Sequence, residues 1–353
     1  MHDTRGTRTR AAFRGCLLGG AVGDALGAPV EFMKLAEIRE RFGRAGVTGL
    51  EPAYGRRGAI TDDTQMTLFT AEALIRALHR FEGRGIVSIS DVARGAYLRW
   101  LSTQGERART FGDPGWLVGV PELNSLRAPG NTCLSALRSG GSGTPEQPVN
   151  DSKGCGGVMR VAPVGLSRLH DPFRTGSEVA ALTHGHPSGH LAAGYLALVV
   201  SEVSHGAELR DACYGALGPL AKKRGHEETT AAVEAALELA TEADPSPEAV
   251  ESLGAGWVAE EALAIGLYGA LVAKDFAHGV LLAVNHGGDS DSTGSIAGSL
   301  LGLLVGERGI PAEWLEDLEL RAVITTVADD LWKHFGPEGQ GDCVDDLDRY
   351  PPN

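Results

Sequence analysis

Apolar residues recur along this chain mostly at helical intervals. Between residues 65 and 81, Met66, Leu68, Phe69, Ala73, Leu74, Ala77 and Leu78 share one face, which predicts an amphipathic helix. Similar patterning predicts helices over 91–101, capped by Ser90 or Asp91, and over 191–204, 227–242, 258–272, 278–284, 296–305 and 312–334. Near the start, Gly15, Gly19, Gly23 and Gly27 recur every fourth residue with Gly20 beside them, a smooth stripe against which another helix backbone can come close. A dinucleotide or phosphate loop would need a preceding strand and a different glycine spacing, so packing is the expected role. The helix should break at Pro29, leaving Glu31 in a loop and free to point at a site.

Between these helices, residues 102–132 read as a long loop holding Trp116, Pro121, Pro129 and the turn Gly130-Asn131-Thr132, and 140–149 as a linker or insertion. Residues 1–10 read as a disordered arm, 11–336 as the folded body, and 337–353 as an acidic, peripheral tail.

Composition narrows the class. With 49 glycines and only 6% aromatic residues, close-packed helices are favoured over a sandwich, and 42% hydrophobic residues supply an ample core. A formal net charge of -14 without a long basic run argues against general nucleic-acid binding. The five cysteines, Cys16, Cys133, Cys155, Cys213 and Cys343, have no metal-like spacing, so reduced thiols in a cytoplasm are expected. The N-terminus lacks a signal-peptide pattern, and the most apolar windows, 191–200 and 296–305, are too short to span a bilayer.

Two acidic clusters carry the candidate chemistry. One is His286-Gly-Gly-Asp289-Ser-Asp291-Ser292-Thr293-Gly294; the other, far upstream, is Thr61-Asp62-Asp63-Thr64. Helix capping needs one acceptor, and each cluster offers more. Brought together, four carboxylates and several hydroxyls would form an oxygen-only ligand set that suits Mg²⁺ or Mn²⁺ rather than zinc. Their mutual repulsion argues for two cations. Ser292 and Thr293 are both open as the hydroxyl ligand. The glycine-rich stretch 150–160 is either an anion-binding nest of backbone N–H groups or a flexible corner. His184, His186 and His190 lie close together, but Gly185 and Pro187 keep the first two off a single helix face, so one ring aimed at a ligand is expected. Gly254-Ala-Gly256-Trp257 places an aromatic ring at a helix start, to stack on a base or to line the core.

Taken in order, the segments 15–27, 59–64, 154–160, 183–184, 254–257 and 287–294 make the chain resemble the ADP-ribosylglycohydrolase family over nearly its whole length. The resemblance implies an all-α, single compact many-helix domain with a binuclear Mg²⁺ or Mn²⁺ site in a central cleft. It implies Thr61, Asp62 and Asp63 as ligands from one side and Asp289, Asp291 and Ser292 from the other, with Glu31 beside the metals. Glu31, Asp62 and Asp291 are then the catalytic candidates. Ser152, Gly154, Cys155, Gly156, Gly157 and His184 would hold the diphosphate and distal ribose, Gly256 and Trp257 would lie near the adenosine end, and Asn131 and Met159 are further substrate-binding candidates.

Three positions depart from the family pattern: Cys155 stands where Asn is more usual, Ser292 where many relatives have Thr, and Arg127-Ala128-Pro129 where some bacterial relatives carry an acid. The implied activity is metal-dependent hydrolysis of the N- or O-glycosidic bond between the distal ribose and a modified protein or other conjugate. ADP-ribose is the product, and Glu31 the partner of the attacking water. Two other readings compete: a catalytically silent ADP-ribose binder or structural relative, and a two-metal phosphoesterase acting on the diphosphate.

Overall fold

The computed structural model describes residues 8–108, 112–140, 142–168, 171–242, 244–337 and 346–352. Its helices, in order, are α1 (Arg10–Gly27), α2 (Leu35–Phe42), α3 (Asp62–Arg84), α4 (Ile89–Thr103), α5 (Asn131–Arg138), α6 (Ala162–Leu166), α7 (Pro172–Ala181), α8 (Pro187–Ser204), α9 (Leu209–Leu220), α10 (Glu227–Glu242), α11 (Pro247–Glu251), α12 (Ala259–Leu271), α13 (Phe276–Val284), α14 (Ser290–Val305), α15 (Ala312–Asp317) and α16 (Arg321–Phe335). Among the described residues the one sheet is an antiparallel hairpin, β1 (Pro52–Ala53) with β2 (Arg56–Arg57), turned by Tyr54 and Gly55 at positive φ. The architecture is all-α. Among the described residues no helix is long and apolar enough to cross a membrane.

The centre of the fold is the contact of α1 with α14. Each interior glycine weakens a helix by about 1 kcal/mol relative to alanine, so a glycine stripe must be recovered by packing. Here it is: a Cβ on Gly15 would lie 2.0 Å from the Gly302 carbonyl oxygen, on Gly19 2.3 Å from that of Gly298, and on Gly23 1.9 Å from that of Gly294. A Cβ on Gly27 would lie 2.3 Å from the Ser290 carbonyl oxygen. Two stripes therefore mesh backbone to backbone, antiparallel. The end of α1 is pinned against the start of α14, and that register sets the site.

Several boundaries differ from the periodicity. α14 begins at Ser290, not near residue 296, because the Thr293 N–H donates to the Asp289 carbonyl at 3.2 Å and closes the first turn. α4 begins at Ile89, since Ser88 Oγ, rather than Ser90 or Asp91, accepts from the Asp91 N–H at 3.2 Å. The expected helix over 312–334 is two, α15 and α16, broken where Leu320 takes a φ of 59°. Within 102–132 there are two short 3₁₀ turns, Leu117–Gly119 and Pro121–Leu123.

Both ends are more engaged than their composition suggests. Residues 1–7 lie outside the described residues, but Thr9 caps α1 through its hydroxyl, and buried Arg8 donates to Ser204 Oγ at 2.6 Å and the Phe335 carbonyl at 2.7 Å. Residues 338–345 are likewise outside them. Tyr350, beyond that gap, is fully buried and donates to Asp330 at 2.8 Å. Burying that ring removes a large apolar area from water.

Candidate active site

The N-termini of α3 and α14 open onto one cavity of about 330 Å³. Thr61 caps α3, its Oγ1 accepting from the Asp63 N–H at 3.2 Å, and this sets Asp62 and Asp63 in the first turn. Asp62 Oδ2 accepts from the Gly130 N–H at 3.3 Å. Across the cavity, Asp289 precedes α14 and accepts from the Cys155 thiol at 2.7 Å, while Asp291 accepts from the Ser292 N–H at 3.0 Å. Glu31 enters from the turn after α1, where its N–H donates to the Gly27 carbonyl at 2.9 Å.

Glu31, Asp62, Asp63, Asp289, Asp291 and Ser292 all line the cavity. Thr61 does not; it is fully buried behind Asp63. The hydroxyl left open in the sequence is separated by geometry. Thr293 Oγ1 sits 2.8 Å from the Ala283 carbonyl and 2.9 Å from His286 Nε2, inside the protein, whereas Ser292 faces the cavity.

The electrostatics are those of acids crowded together: among the described residues neither Lys nor Arg lines the cavity. Burial first, then Asp291, Asp289, Asp62 and Asp24, push the Glu31 carboxyl up to about 10. Asp62, Asp63 and Asp289 are also raised, by burial and by Asp291. Glu31 Oε2 and Asp63 Oδ1 are buried with no hydrogen-bond partner. Glu31, Asp289 and Asp291 each offer an oxygen within 4.8 Å of the others. Orphaned, hard carboxylate oxygens at two positive helix ends are a donor set that fits divalent cations.

The remaining wall is built from the other motifs. The Cys155 N–H donates to the Trp257 carbonyl at 3.2 Å and the Ala259 N–H to the Lys153 carbonyl at 2.8 Å, so the glycine turn is stitched to the start of α12. Asn131, Gly154, Cys155, Gly156, Met159, His184 and Trp257 line the cavity; Ser152, Gly157 and Gly256 lie behind it. Gly256, at a φ of 80°, makes the bend that delivers Trp257. The expected backbone nest is narrower than the sequence suggests, since the Gly154 N–H already donates to Ser152 Oγ at 3.3 Å and that of Cys155 is used as above. Of the three histidines, His184 is the one on the cavity. Burial, then Arg160, lowers it to about 3, which keeps the ring neutral.

Three residues escaped the sequence reading. Asp24, fully buried in α1, accepts from the Thr61 N–H at 3.0 Å and the Thr64 N–H at 3.1 Å, clamping the start of α3. An acid inside a glycine stripe was the available signal. Phe32, exposed and at a φ of 70°, stacks on Trp257 with centroids 5.3 Å apart. Arg160, fully buried, donates to Thr183 Oγ1 at 2.7 Å, and that oxygen lies 2.9 Å from His184 Nδ1. The Arg127 segment supplies no acid; Arg127 pairs with Glu319 at 3.0 Å.

A helical domain that closes an acidic cavity between two helix starts, with a glycine turn and an aromatic pair on its far wall, defines a narrow class. The chain belongs to the ADP-ribosylglycohydrolase family, which matches residues 5–341. It is 29% identical over 313 residues to the ADP-ribosyl-[dinitrogen reductase] glycohydrolase of Rhodospirillum rubrum, covering 87% of this chain and 90% of the relative. It is 25% identical over 332 residues to an ADP-ribosylarginine hydrolase of Serratia proteamaculans, covering 92% and 80%. A solved structure described as an ADP-ribosylglycohydrolase-related protein complex superposes with a TM-score of 0.68 at 27% identity, over 92% of this chain and 98% of that one.

Proposed function

We propose that this protein hydrolyses the glycosidic bond between the distal ribose of ADP-ribose and a modified acceptor, N- or O-linked, and depends on two divalent cations, Mg²⁺ or Mn²⁺. The observation that carries the reading is the convergence of Glu31, Asp62, Asp63, Asp289 and Asp291 on a cavity whose other wall holds His184 and Trp257. The names of the relatives point the same way. Asp62 and Asp63, with Thr61 behind them, and Asp289, Asp291 and Ser292 opposite, would hold the cations. When bound, these supply the positive charge that offsets the carboxylates and orients ribose hydroxyls.

The chain's own groups divide the rest of the work. Glu31 holds a proton while its neighbours stay uncompensated; once their charge is offset its carboxyl falls toward the ordinary range and takes the proton of the attacking water. Arg160 donates to Thr183 Oγ1, which holds His184 Nδ1 at 2.9 Å; with the threonine proton on that shorter contact rather than on the Ala180 carbonyl at 3.4 Å, the neutral ring would carry its N–H at Nε2, a donor for diphosphate oxygen. Phe32 and Trp257, already stacked, offer an aromatic face to the adenine. Cys155 donates to Asp289 and so orients it, in place of the more usual Asn amide.

The deciding assay incubates the protein with ADP-ribosyl-arginine, ADP-ribosyl-serine and further linkages, with Mg²⁺, with Mn²⁺ and with chelator. Release of intact ADP-ribose from at least one linkage, lost in chelator, is the expected result. AMP with ribose phosphate would mean cleavage at the diphosphate. Binding without turnover across the whole panel would make the protein a silent binder.

A further inference from the structure

A second polar cluster lies about 25 Å along α3 from the acidic cavity. It joins His79 of α3, His334 at the end of α16, and Asp346 of the C-terminal segment, which are 3%, 6% and 5% exposed. Each offers one ligand atom, and these atoms lie within 4.8 Å of one another. His334 Nε2 is 2.9 Å from Asp346 Oδ2, and the two rings meet edge to face with centroids 4.9 Å apart.

The tautomer of His79 is set by its neighbour. Its Nδ1 lies 2.8 Å from the Tyr350 carbonyl oxygen, which can only accept, so Nδ1 carries the proton and Nε2 of the neutral ring presents its lone pair. That lone pair faces Asp346 Oδ1 at 3.4 Å, and neither atom has a hydrogen bond. Two acceptors facing each other in a buried place require a cation between them, either a proton or a metal. For this pair the spacing suits the metal: bonds of about 2.0–2.2 Å at a tetrahedral centre hold ligand atoms about 3.3–3.6 Å apart, whereas His334 Nε2, 2.9 Å from Asp346 Oδ2, carries a proton that an entering metal displaces. A backbone carbonyl on the far ring nitrogen is also the usual outer partner of a metal-ligating histidine.

We propose that His79, His334 and Asp346 form a further metal site, for a borderline cation of the Zn²⁺ type, which fastens residues 346–352 to α3. Two imidazoles distinguish it from the oxygen-only cluster in the cavity. His334, alone of the three, also lines a separate cavity of about 410 Å³, the side from which a metal and a water would approach. Lys333 Nζ, 3.5 Å from Asp346 Oδ2, is the competing cation, and its side chain, 29% exposed, can withdraw to solvent when a metal enters.

The test uses the full-length, metal-stripped protein in excess Mg²⁺, titrated with Co²⁺, whose visible spectrum reports tetrahedral ligation, and then with Zn²⁺ in competition. A tetrahedral Co²⁺ band is expected in the wild type and in Asp62→Asn/Asp291→Asn. Affinity should fall in His79→Gln and His334→Gln by more than the ~10–100-fold that loss of an outer-shell partner costs. No band in the wild type leaves a buried imidazolium–carboxylate pair and overturns the proposal. So does a band that survives in the histidine variants or disappears in the carboxylate variant. If the histidine variants fail to fold, hydrogen exchange decides: Zn²⁺ should slow exchange in residues 346–352 of the wild type, and unchanged exchange there overturns the site.

Discussion

Glu31 and Asp24 show how much a single side chain can owe to its surroundings. Glu31 sits in a turn that α1 cannot continue, where burial and then four other acids raise its carboxyl to about 10. Glu31→Gln keeps the shape and removes the proton acceptor. It should lower kcat for ADP-ribose release by roughly 10²–10⁴-fold with little change in KM, as read by steady-state kinetics in saturating Mg²⁺. An unchanged kcat would remove Glu31 from the reaction. Asp24 does not line the cavity yet grips the backbone of Thr61 and Thr64, so Asp24→Asn should weaken cation binding by ~10–100-fold, measured calorimetrically, while the helical signal is kept. Glu31 and both acidic clusters were legible as sequence because acids beside glycines and hydroxyls are few and specific. Asp24 was not, since its partners, the Thr61 and Thr64 N–H groups and the Thr64 hydroxyl, are brought to it only by folding.

At the scale of elements, the two glycine stripes act as one device. The stripe of α1 was visible as a period of four, but its partner in α14, Gly294, Gly298 and Gly302, emerges only when the helices cross. A Cβ at Gly298 would lie 2.1 Å from the Gly19 carbonyl oxygen, a backbone atom that cannot rotate away. Gly298→Ala should therefore destabilise by about 3 kcal/mol, the upper end for overpacking, in chemical denaturation. By shifting the start of α14 away from that of α3 it should also weaken cation binding. Stability and binding unaffected together would mean that the helices are not held in this register. The boundaries of α4 and α14 moved for a related reason: the bond that Ser88 Oγ accepts from the Asp91 N–H, and the one that the Thr293 N–H donates to the Asp289 carbonyl, decide where those helices begin, not the apolar period.

For the molecule as a whole, the crowded acids make stability depend on pH and on cations together. Glu31 is raised from 4.5 to about 10 and Asp24, by burial and then Asp291, from 3.8 to about 7, so the folded state binds protons that the unfolded state has released. Their contribution to stability is complete below about pH 4 and is lost as pH rises through the neutral range. In chelator, Tm should fall steadily between about pH 5 and pH 9, and Mg²⁺ should raise it most at the upper end. A flat or rising metal-free profile would contradict the cluster. Asp329, held at about 2 by Arg10 and Arg14 against the effect of burial, acts in the opposite sense but below this window.

What the sequence determined by itself was local: helical periods, one glycine stripe, the two acidic clusters, the glycine turn and the aromatic at residue 257, together with the family that these motifs in this order identify. Each is set by neighbours within a turn or two. The tertiary structure decided what those motifs meet. It turned Ser292 to the cavity and Thr293 inward, used the Gly154 and Cys155 N–H groups internally, stacked Phe32 on Trp257, and folded the C-terminal Tyr350 into the core beside His79 and Asp346. Each of these depends on contacts between residues far apart in the chain, whose pairing is fixed only when the helices pack.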